Sequence, residues 1–382
     1  MIHFIFDKLR CALCGALFTA DKPENFGEDT YDARFKAILA LNKYFLAVPF
    51  HRQEQYQKML KLPLPDATQF DLVEQVADCA YPVIGVLEKL AANGELTHND
   101  DSPVKILEVI KANKADPNRE RKGTYTSCIF TYSGIYKICL YYSGIRHAGE
   151  NLGRILKLRD KSLPPIIQMC DALSANVPSE LKVILCNCLV HGRRKFTDIE
   201  SYFPNECAFV VDQLAFIYKH DAEAKNQNMS ASERLEHHQK FSQPIMDALK
   251  IWLEKQISDR LVEPNSALGA AIKYMLRHWE KLTRFLSVAG APLDNNIVER
   301  SLKLAIRLRK NSMFHRTRHG ADIASILLSL IYTCGLADIN PVDYLTALQE
   351  HKSQVFKNPE NWLPWNYAAT LNAIINLVAH AA

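Results

Sequence analysis

The sequence predicts a mixed α/β protein in which a sheet-forming region is followed by a long helical segment. Between residues 96 and 190, short segments rich in β-branched and aromatic residues alternate with amphipathic ones in the order β-β-β-α-β-α-β. From residue 195 to about residue 286 the apolar periodicity is almost wholly helical. The composition, with 48% hydrophobic and 23% charged residues, excludes a disordered or collagen-like chain.

The N-terminal part is predicted to become helical after an irregular start. Residues 1–30 lack helical periodicity, whereas residues 31–95 show it. A helix over residues 51–60 is followed by a turn that ends at Pro65 and by a second helix with Asp66 as its N-cap. Helix, short turn and capped helix are compatible with a DNA-binding helix-turn-helix, and equally with an ordinary helical hairpin.

The central part is predicted to form the sheet. Ser133-Gly134 separates two of the predicted strands and indicates a hairpin. The predicted strands are His98–Val109, Tyr125–Tyr132, Ile135–Tyr142, Ile166–Cys170 and Leu181–Leu189, with an amphipathic helix over Gly149–Arg159 between the third and the fourth.

The C-terminal half is predicted to be helical. An apolar stripe from Leu268 to Leu286 follows the start signal Pro264-Asn265-Ser266. Further helices are predicted after Asp294-Asn295-Asn296, over Ala321–Cys334 and over Pro341–Leu348, and the tail after Lys352 is predicted to be irregular.

Cysteine usage and hydropathy predict a cytoplasmic protein without membrane spans. The ten cysteines are spread thinly over a chain long enough to build its own core, which favours reduced thiols. Asp7 and Lys8 interrupt the apolar N-terminus, so no signal peptide is indicated, and no uncharged run is long and apolar enough to span a bilayer. The net charge of +4 does not by itself indicate a nucleic-acid partner.

Three acidic positions lie at the edges of predicted elements. Asp100 and Asp101 lie in the first strand of the sheet, Asp171 ends the fourth, and Glu299 lies near the start of a helix. Open α/β sheets place their sites at strand ends, and two or three carboxylates are what Mg²⁺-dependent phosphoryl transfer requires. The alternative is that these acids are helix caps and turn residues.

The stretch Cys188-Leu-Val-His191-Gly-Arg193-Arg194-Lys195-Phe combines a C-x-x-H pair with three basic residues. It is compatible with part of a zinc site, a Cys/His nucleophile pair or a phosphate clamp, and also with a buried cysteine beside a satisfied histidine. No second ligand pair lies near in the sequence, which weakens the zinc interpretation. The pair Cys11 and Cys14 has zinc-knuckle spacing but likewise lacks partners, so it is interpreted as half of a lost zinc site.

The helix after Asp294 is predicted to carry a basic face. Residues 294–319 hold seven Lys or Arg against two acids, a local excess of five, beside Glu299. Most such runs are solvated helix faces, but this one suits a polyanion bound next to the chemistry. The basic residues that share or extend this face are Arg300, Lys303, Arg307, Arg309, Lys310, Arg316 and Arg318.

Several motifs together resemble a known family. The run from Pro292 to Arg300, with Asp-Asn-Asn and Glu-Arg inside it, precedes Arg309-Lys-Asn and resembles the D-N-N-x-x-E-R … R-K-N pattern of the IS66 family of bacterial insertion-sequence transposases. The other segments that are similar, in the same order, are 98–104, 167–171, 188–196, 263–269 with Tyr274 and Trp279, and 329–334. The similarity runs from about residue 5 to 350.

This resemblance implies a ribonuclease-H-like mixed-sheet catalytic core that is interrupted by an all-helical insertion and preceded by a helical, DNA-binding-like segment. The implied segments are a partial zinc-binding segment (1–30), a helix-turn-helix-like region (31–95), the first part of the core (96–196), the insertion (197–290), the completion of the core with the catalytic glutamate (291–350) and a C-terminal tail (351–382). Because relatives carry further segments upstream, the chain is expected to be N-terminally truncated.

The resemblance also implies a DDE triad of Asp100, Asp171 and Glu299 that holds two Mg²⁺ or Mn²⁺ ions, with His191 near the scissile phosphate. It implies metal-dependent cleavage and strand transfer at insertion-sequence ends, with double-stranded DNA, a second copy of the chain and accessory element-encoded proteins as partners. The residues expected to contact DNA are Arg193, Arg194, Lys195, Arg300, Lys303, Arg307, Arg309 and Lys310.

Two alternatives to an active enzyme remain at this point. One is a transposase remnant that binds DNA through residues 31–80 and the basic helix without productive transposition. The other is an unrelated helical scaffold whose acids are caps, which the ordered series of motifs disfavours.

Overall fold

The computed structural model describes residues 7–21, 30–116, 118, 121–179 and 182–381. Its first element is a hairpin of β1 (Lys8–Arg10) and β2 (Leu17–Thr19), and the turn between these strands carries Cys11 and Cys14. Gly15 closes this turn with φ +73°, a backbone conformation that glycine adopts without strain. Residues 1–6 and 22–29 of the predicted zinc-binding segment lie outside the described residues.

Three helices follow, as predicted: α1 (Ala33–Tyr44), α2 (Phe50–Met59) and α3 (Asp66–Ala92). Pro65 rather than Asp66 is the N-cap of α3, one residue from the predicted position. The apolar side of α3 is buried in the main hydrophobic core, while its opposite side exposes Asp71 and Asp78. The DNA-binding role of this helix pair stays a prediction, and the acidic exposed side of α3 offers no attraction for phosphate.

A five-stranded mixed sheet forms the centre of the molecule. The strands are β3 (Leu96–Pro103), β4 (Tyr125–Ser133), β5 (Tyr136–Gly144), β6 (Ile167–Cys170) and β7 (Ile184–Asn187), in the order β5-β4-β3-β6-β7. The strands β3, β4 and β5 are antiparallel neighbours, whereas β6 and β7 run parallel to β3. Gly134, at φ +57°, makes the predicted hairpin turn. The predicted mixed α/β fold is thereby confirmed.

Helices fill the rest of the chain. Around the sheet lie α4 (Leu107–Ala115) and α5 (Ala148–Leu156). A second hydrophobic core joins β6 and β7 to four helices, which are α6 (Leu189–Thr197), α7 (Pro204–Asn226), α9 (Gln243–Ser258) and α10 (Ala267–Leu282). The helix α8 (Ala231–Phe241) lies between α7 and α9 in the chain. Ser230 and Ser266 cap α8 and α10 by accepting hydrogen bonds from backbone N–H groups. The remaining helices are α11 (Asn296–Ser312), α12 (Arg318–Leu336), α13 (Pro341–Glu350), α14 (Lys352–Lys357) and α15 (Tyr367–Ala381).

The helix α12 covers the edge strand β5 with a row of hydroxyl groups. The side chains of Ser325, Ser329 and Thr333 accept hydrogen bonds from three backbone N–H groups of β5, at 3.0, 2.8 and 3.1 Å. Within the described residues, α12 is the one helix long and apolar enough to cross a membrane, but 61% of that stretch is buried inside the protein. This combination is typical of a core helix.

Three sequence predictions about secondary structure were wrong. Between the fourth and fifth strands, where an α-helix was predicted, the structure has the 3-10 helix Ser174–Asn176. The strand predicted to run to Val109 ends at Pro103, and the apolar residues after it begin α4, where the N–H of Leu107 donates to the carbonyl of His315. The tail after Lys352 is helical rather than irregular, because Trp362 is buried in the main core and anchors it. The six-segment division predicted for the chain stays a prediction.

Candidate active site

Asp100 and Asp171 lie together at the carboxyl ends of adjacent parallel strands. His98 of β3 pairs with Met169 of β6, and each aspartate comes two residues after its paired residue. The side-chain amide of Asn176 donates to Asp171 Oδ1 at 2.6 Å and lies 3.5 Å from Asp100 Oδ1. One amide group therefore links the two carboxylates, as the register of the parallel pair predicts.

Asp101 faces away from this pair. Its carboxylate accepts hydrogen bonds from Ser127 Oγ (2.7 Å) and the N–H of Ala148 (3.0 Å), and it lies 2.9 Å from His147 Nδ1. These bonds attach the start of α5 to β3. Because neighbouring residues of a strand point to opposite faces, Asp100 is the aspartate that faces Asp171.

Glu299 lies in the first turn of α11, and the buried side chain of Asn295 sets the position of that helix. Asn295 Oδ1 lies 3.1 Å from His98 Nδ1, and Asn295 Nδ2 donates to the carbonyl of Asn99 at 3.2 Å. The backbone N–H of Asn295 donates to Cys188 Sγ at 3.3 Å. The start of α11 is thus hydrogen-bonded to β3 and to the end of β7. Asn295 is part of the Asp-Asn-Asn motif noted in the sequence, but its contacts with His98, Asn99 and Cys188 could not be predicted from the spacing of residues along the chain.

The three acids interact electrostatically. Burial raises the pKa of Asp100 to about 7, and the negative charges of Asp171, Asp101 and Glu299 act in the same direction. The three carboxylates of Asp100, Asp171 and Glu299 do not form a tight cluster, however. In the part of the chain that the structure describes, the one set of three potential metal ligands whose donor atoms all lie within 4.8 Å of one another is Cys188, His191 and Glu299.

The C-x-x-H pair lies beside Glu299. His191 Nε2 is 3.9 Å from Glu299 Oε1, and neither Glu299 Oε1 nor His191 Nδ1, both buried, has a hydrogen-bond partner among the described residues. Burial raises the pKa of the Cys188 thiol to about 11. Because a thiolate is the nucleophilic form of cysteine, this environment disfavours the Cys/His nucleophile interpretation.

Two tyrosines of the helical segment approach the same region and were not identified as site residues from the sequence. Burial raises the pKa of Tyr274 to about 12, and the charges of Asp171 and Cys188 add to this shift. Burial, with the charges of Asp294 and Cys188, also raises the pKa of Tyr218, whose buried hydroxyl group has no hydrogen-bond partner in the described part of the chain. Tyr274 of α10 is therefore close enough to Asp171, and Tyr218 of α7 close enough to Asp294 and Cys188, to interact electrostatically with them.

The predicted basic residues form two exposed groups. Arg193, Arg194 and Lys195 are exposed on α6, and Lys195 Nζ lies 5.4 Å from the ring centre of Tyr274. The exposed basic residues of α11 lie on one side of that helix and line a cavity of ≈670 Å³ together with Phe45; they are Arg300, Lys303, Arg307 and Lys310.

Two arginines of α11 also bind the protein itself. The guanidinium of Arg307 donates to the carbonyl of Phe45 at 3.0 Å. The guanidinium of Arg309 donates to Ser102 Oγ at 3.1 Å and to the carbonyl of Pro103, so it fastens α11 to the end of β3. DNA contact by Arg309 stays a prediction, and its side chain is already hydrogen-bonded to the protein.

Cys11 and Cys14 face each other in the β1–β2 turn. Hydrogen bonds from the backbone of Cys14 and Leu13 hold the pKa of Cys11 below its usual value. No third ligand joins the pair among the described residues, and all ten cysteines are free thiols. Zinc binding at this turn stays a prediction.

Comparison with known proteins identifies the family. Over 189 residues, 48% of its length, the chain is 37% identical to the uncharacterized protein y4jD of Sinorhizobium fredii; over 407 aligned positions, 99% of its length, it is 25% identical to the uncharacterized protein y4hP of the same organism. The chain covers 36% of y4jD and 70% of y4hP. The sequence profile of the Transposase IS66 family matches residues 29–323, more than half of the chain. The chain therefore belongs to the IS66 family of transposases.

Proposed function

We propose that this chain is a DDE transposase whose mixed sheet is a ribonuclease-H-like core, and that it cleaves DNA strands at insertion-sequence ends and transfers them to a target. The observation that carries the proposal is the link between Asp100 and Asp171 through Asn176, at the ends of parallel strands, with the charge of Glu299 acting on Asp100. Two carboxylates at the ends of adjacent parallel strands, with a third on a helix whose start is hydrogen-bonded to one of these strands, suit phosphoryl transfer.

The donor set fits Mg²⁺ or Mn²⁺. Carboxylate oxygens are the ligands that these ions prefer. Burial raises the pKa of Asp100 and the charges of Asp171 and Glu299 add to that rise, so a cation would favour its charged form. Asp100, Asp171 and Glu299 would hold the ions, two of them in the expected mechanism. Bound there, the ions would activate the attacking oxygen and stabilise the leaving one.

The protein groups around the acids have separable tasks. Asn176 orients the carboxylate of Asp171, and Asn295 holds the helix that carries Glu299. His191 would face the scissile phosphate, with water or a DNA 3′-hydroxyl as the attacking group. The high pKa of Cys188 agrees with a reaction that forms no covalent protein intermediate.

The exposed basic residues of α6 and α11 would neutralise DNA phosphates on either side of the acids. Neutralisation of phosphate charge supplies most sequence-independent affinity for DNA, and it makes the affinity depend on salt. Double-stranded DNA in the cytoplasm would be the partner, bound by two or more copies of the chain with the accessory proteins of the element.

The test is a nicking and strand-transfer assay on DNA that carries the ends of the element, with Mg²⁺ or Mn²⁺. We expect the wild type to cut, and Asp100→Asn, Asp171→Asn and Glu299→Gln each to abolish cutting while DNA binding and thermal stability persist. The matched control is Asp212→Asn, an exposed acid of α7. DNA binding without cutting by the wild type would instead support the remnant hypothesis, and three uncharged variants that still cut would overturn the assignment of the triad.

A further inference from the structure

Cys188, His191 and Glu299 bring three different kinds of donor atom to one place. Cys188 precedes α6, His191 lies one turn later on the same side of α6, and Glu299 lies in the first turn of α11. A sulfur, a ring nitrogen and a carboxylate oxygen all lie within 4.8 Å of one another. This set is distinct from the Asp100–Asp171 pair and shares only Glu299 with the proposed triad.

Two independent observations indicate that the set is built for a ligand. Glu299 Oε1 is buried, lies 3.9 Å from His191 Nε2 and has no hydrogen-bond partner among the described residues. Buried polar atoms in native proteins nearly always have a partner, so an orphaned carboxylate oxygen calls for one. In addition, the N–H of Asn295 donates to Cys188 Sγ, which is the kind of outer contact that orients a sulfur ligand.

The chemistry of the donors selects the ion. Sulfur and imidazole are soft to borderline ligands that bind Zn²⁺ or Co²⁺, whereas Mg²⁺ takes oxygen ligands almost exclusively. Three protein ligands leave a fourth tetrahedral position for water. We propose that Cys188, His191 and Glu299 form a binding site for a zinc-like transition-metal ion, separate from the Mg²⁺ ligands Asp100 and Asp171.

Binding would proceed with a simple balance of protons. As the sulfur–metal bond forms, the Cys188 thiol releases its proton to solvent, while His191 binds as the neutral imidazole and Glu299 as the carboxylate. The bound ion would hold the carboxylate of Glu299 next to Cys188 and His191 rather than next to Asp100 and Asp171. A consequence, which rests on the proposed function, is that zinc inhibits Mg²⁺-dependent cutting by withdrawing Glu299 from the triad.

The test uses Co²⁺ as a spectroscopic probe on tag-free protein with Cys11→Ser and Cys14→Ser, because that pair could also bind the probe. We expect one Co²⁺ per chain, with a sulfur-to-cobalt charge-transfer band and the visible bands of tetrahedral cobalt. Cys188→Ser should abolish the charge-transfer band, and His191→Gln or Glu299→Gln should weaken binding by at least about tenfold. Cys186→Ser is the matched control, since Cys186 is buried two residues away and is not in the set.

A missing charge-transfer band, or one that survives Cys188→Ser, would overturn the proposal. If Cys188→Ser fails to fold, the two variants of half-exposed side chains, His191→Gln and Glu299→Gln, decide it by their affinities. Asp100→Asn separates this inference from the proposed function. That variant should keep full Co²⁺ binding although it cuts no DNA. If the wild type binds Co²⁺ but never cuts DNA, the metal site is supported and the proposed enzymatic function is refuted.

Discussion

The side-chain oxygen of Asn295 lies 3.1 Å from Nδ1 of His98, and both residues are buried. This contact joins the start of α11 to the strand that carries Asp100, although the two residues are 197 positions apart. The position of Glu299 relative to Asp100 therefore depends on a buried pair of side chains.

Asn295→Ala should lower cutting activity more than it lowers stability. The change removes the hydrogen bonds to His98 and Asn99, which costs about 1–3 kcal/mol of unfolding free energy. Displacement of Glu299 by a fraction of an ångström should slow single-turnover nicking by roughly 10–100-fold. The Mg²⁺ concentration that gives half the maximal rate should also rise, which a merely destabilised protein would not show. Asn296→Ala, next in the chain and half-exposed, is the control.

Acid should destabilise the protein through His98. Burial lowers the pKa of His98 to about 4, only partly offset by its hydrogen bond to Asn295. Because the unfolded chain takes up this proton near pH 6.5 and the folded chain only near pH 4, the stability present above pH 6.5 is lost as the pH falls, by ~2 kcal/mol between pH 6.5 and 5.

His98→Gln should flatten the dependence of Tm on pH in this window, although the partly buried His315, whose pKa desolvation also lowers to about 4, keeps part of it. His51→Gln, at an exposed position, should leave the slope unchanged. An unaltered slope in His98→Gln would show that folding does not lower the pKa of His98.

The basic side of α11 should set the salt dependence of DNA binding. Replacing Arg300, Lys303 and Lys310 with alanine should weaken binding to any DNA sequence. It should also reduce the slope of log affinity against log salt by about 2–3, because each phosphate contact contributes about 0.9. The matched control replaces the exposed lysines Lys219, Lys240 and Lys255, which removes the same charge elsewhere. If both triple variants lose the same affinity for DNA, the effect comes from net charge alone and not from the basic side of α11.

Gly269 should not tolerate a side chain. A Cβ atom there would lie 2.4 Å from the carbonyl oxygen of Glu263 and 2.8 Å from that of Pro264, both backbone atoms that cannot move freely. Gly269→Ala should therefore cost about 1–3 kcal/mol in urea denaturation. At Gly85, inside α3, a Cβ atom would have no atom from outside its own helix within 4 Å. Gly85→Ala should therefore raise the stability of the protein by about 0.5–1 kcal/mol. The prediction fails if the two substitutions change stability in the same direction.

The strands were predictable because their β-branched and aromatic runs are bounded by turn residues. The hairpin at Gly134 is an example, and the third strand of the sheet was placed within two residues of its ends. The stretch after Pro103 was not predictable, because Val, Ile and Leu spaced as they are there suit a strand as well as a helix. Its helical state depends on a hydrogen bond to His315, far along the chain.

The choice between Asp100 and Asp101 as the site residue also could not be made from local sequence alone. Alternation along a strand says that the two aspartates face opposite ways, but not which way the site lies. That depends on Ser127 and Ala148, which bind Asp101 from other elements. The orphaned oxygen of Glu299 and the amide of Asn176 likewise result from packing over long distances.

The row of hydroxyl groups on α12 has a consequence for self-association. An exposed edge strand ordinarily offers its N–H groups to any extended segment of another chain, which is how sheets grow into fibres. On β5 those groups already donate to Ser325, Ser329 and Thr333. The sheet is therefore closed to a sixth strand on that side, so copies of this chain cannot associate by adding a strand next to β5.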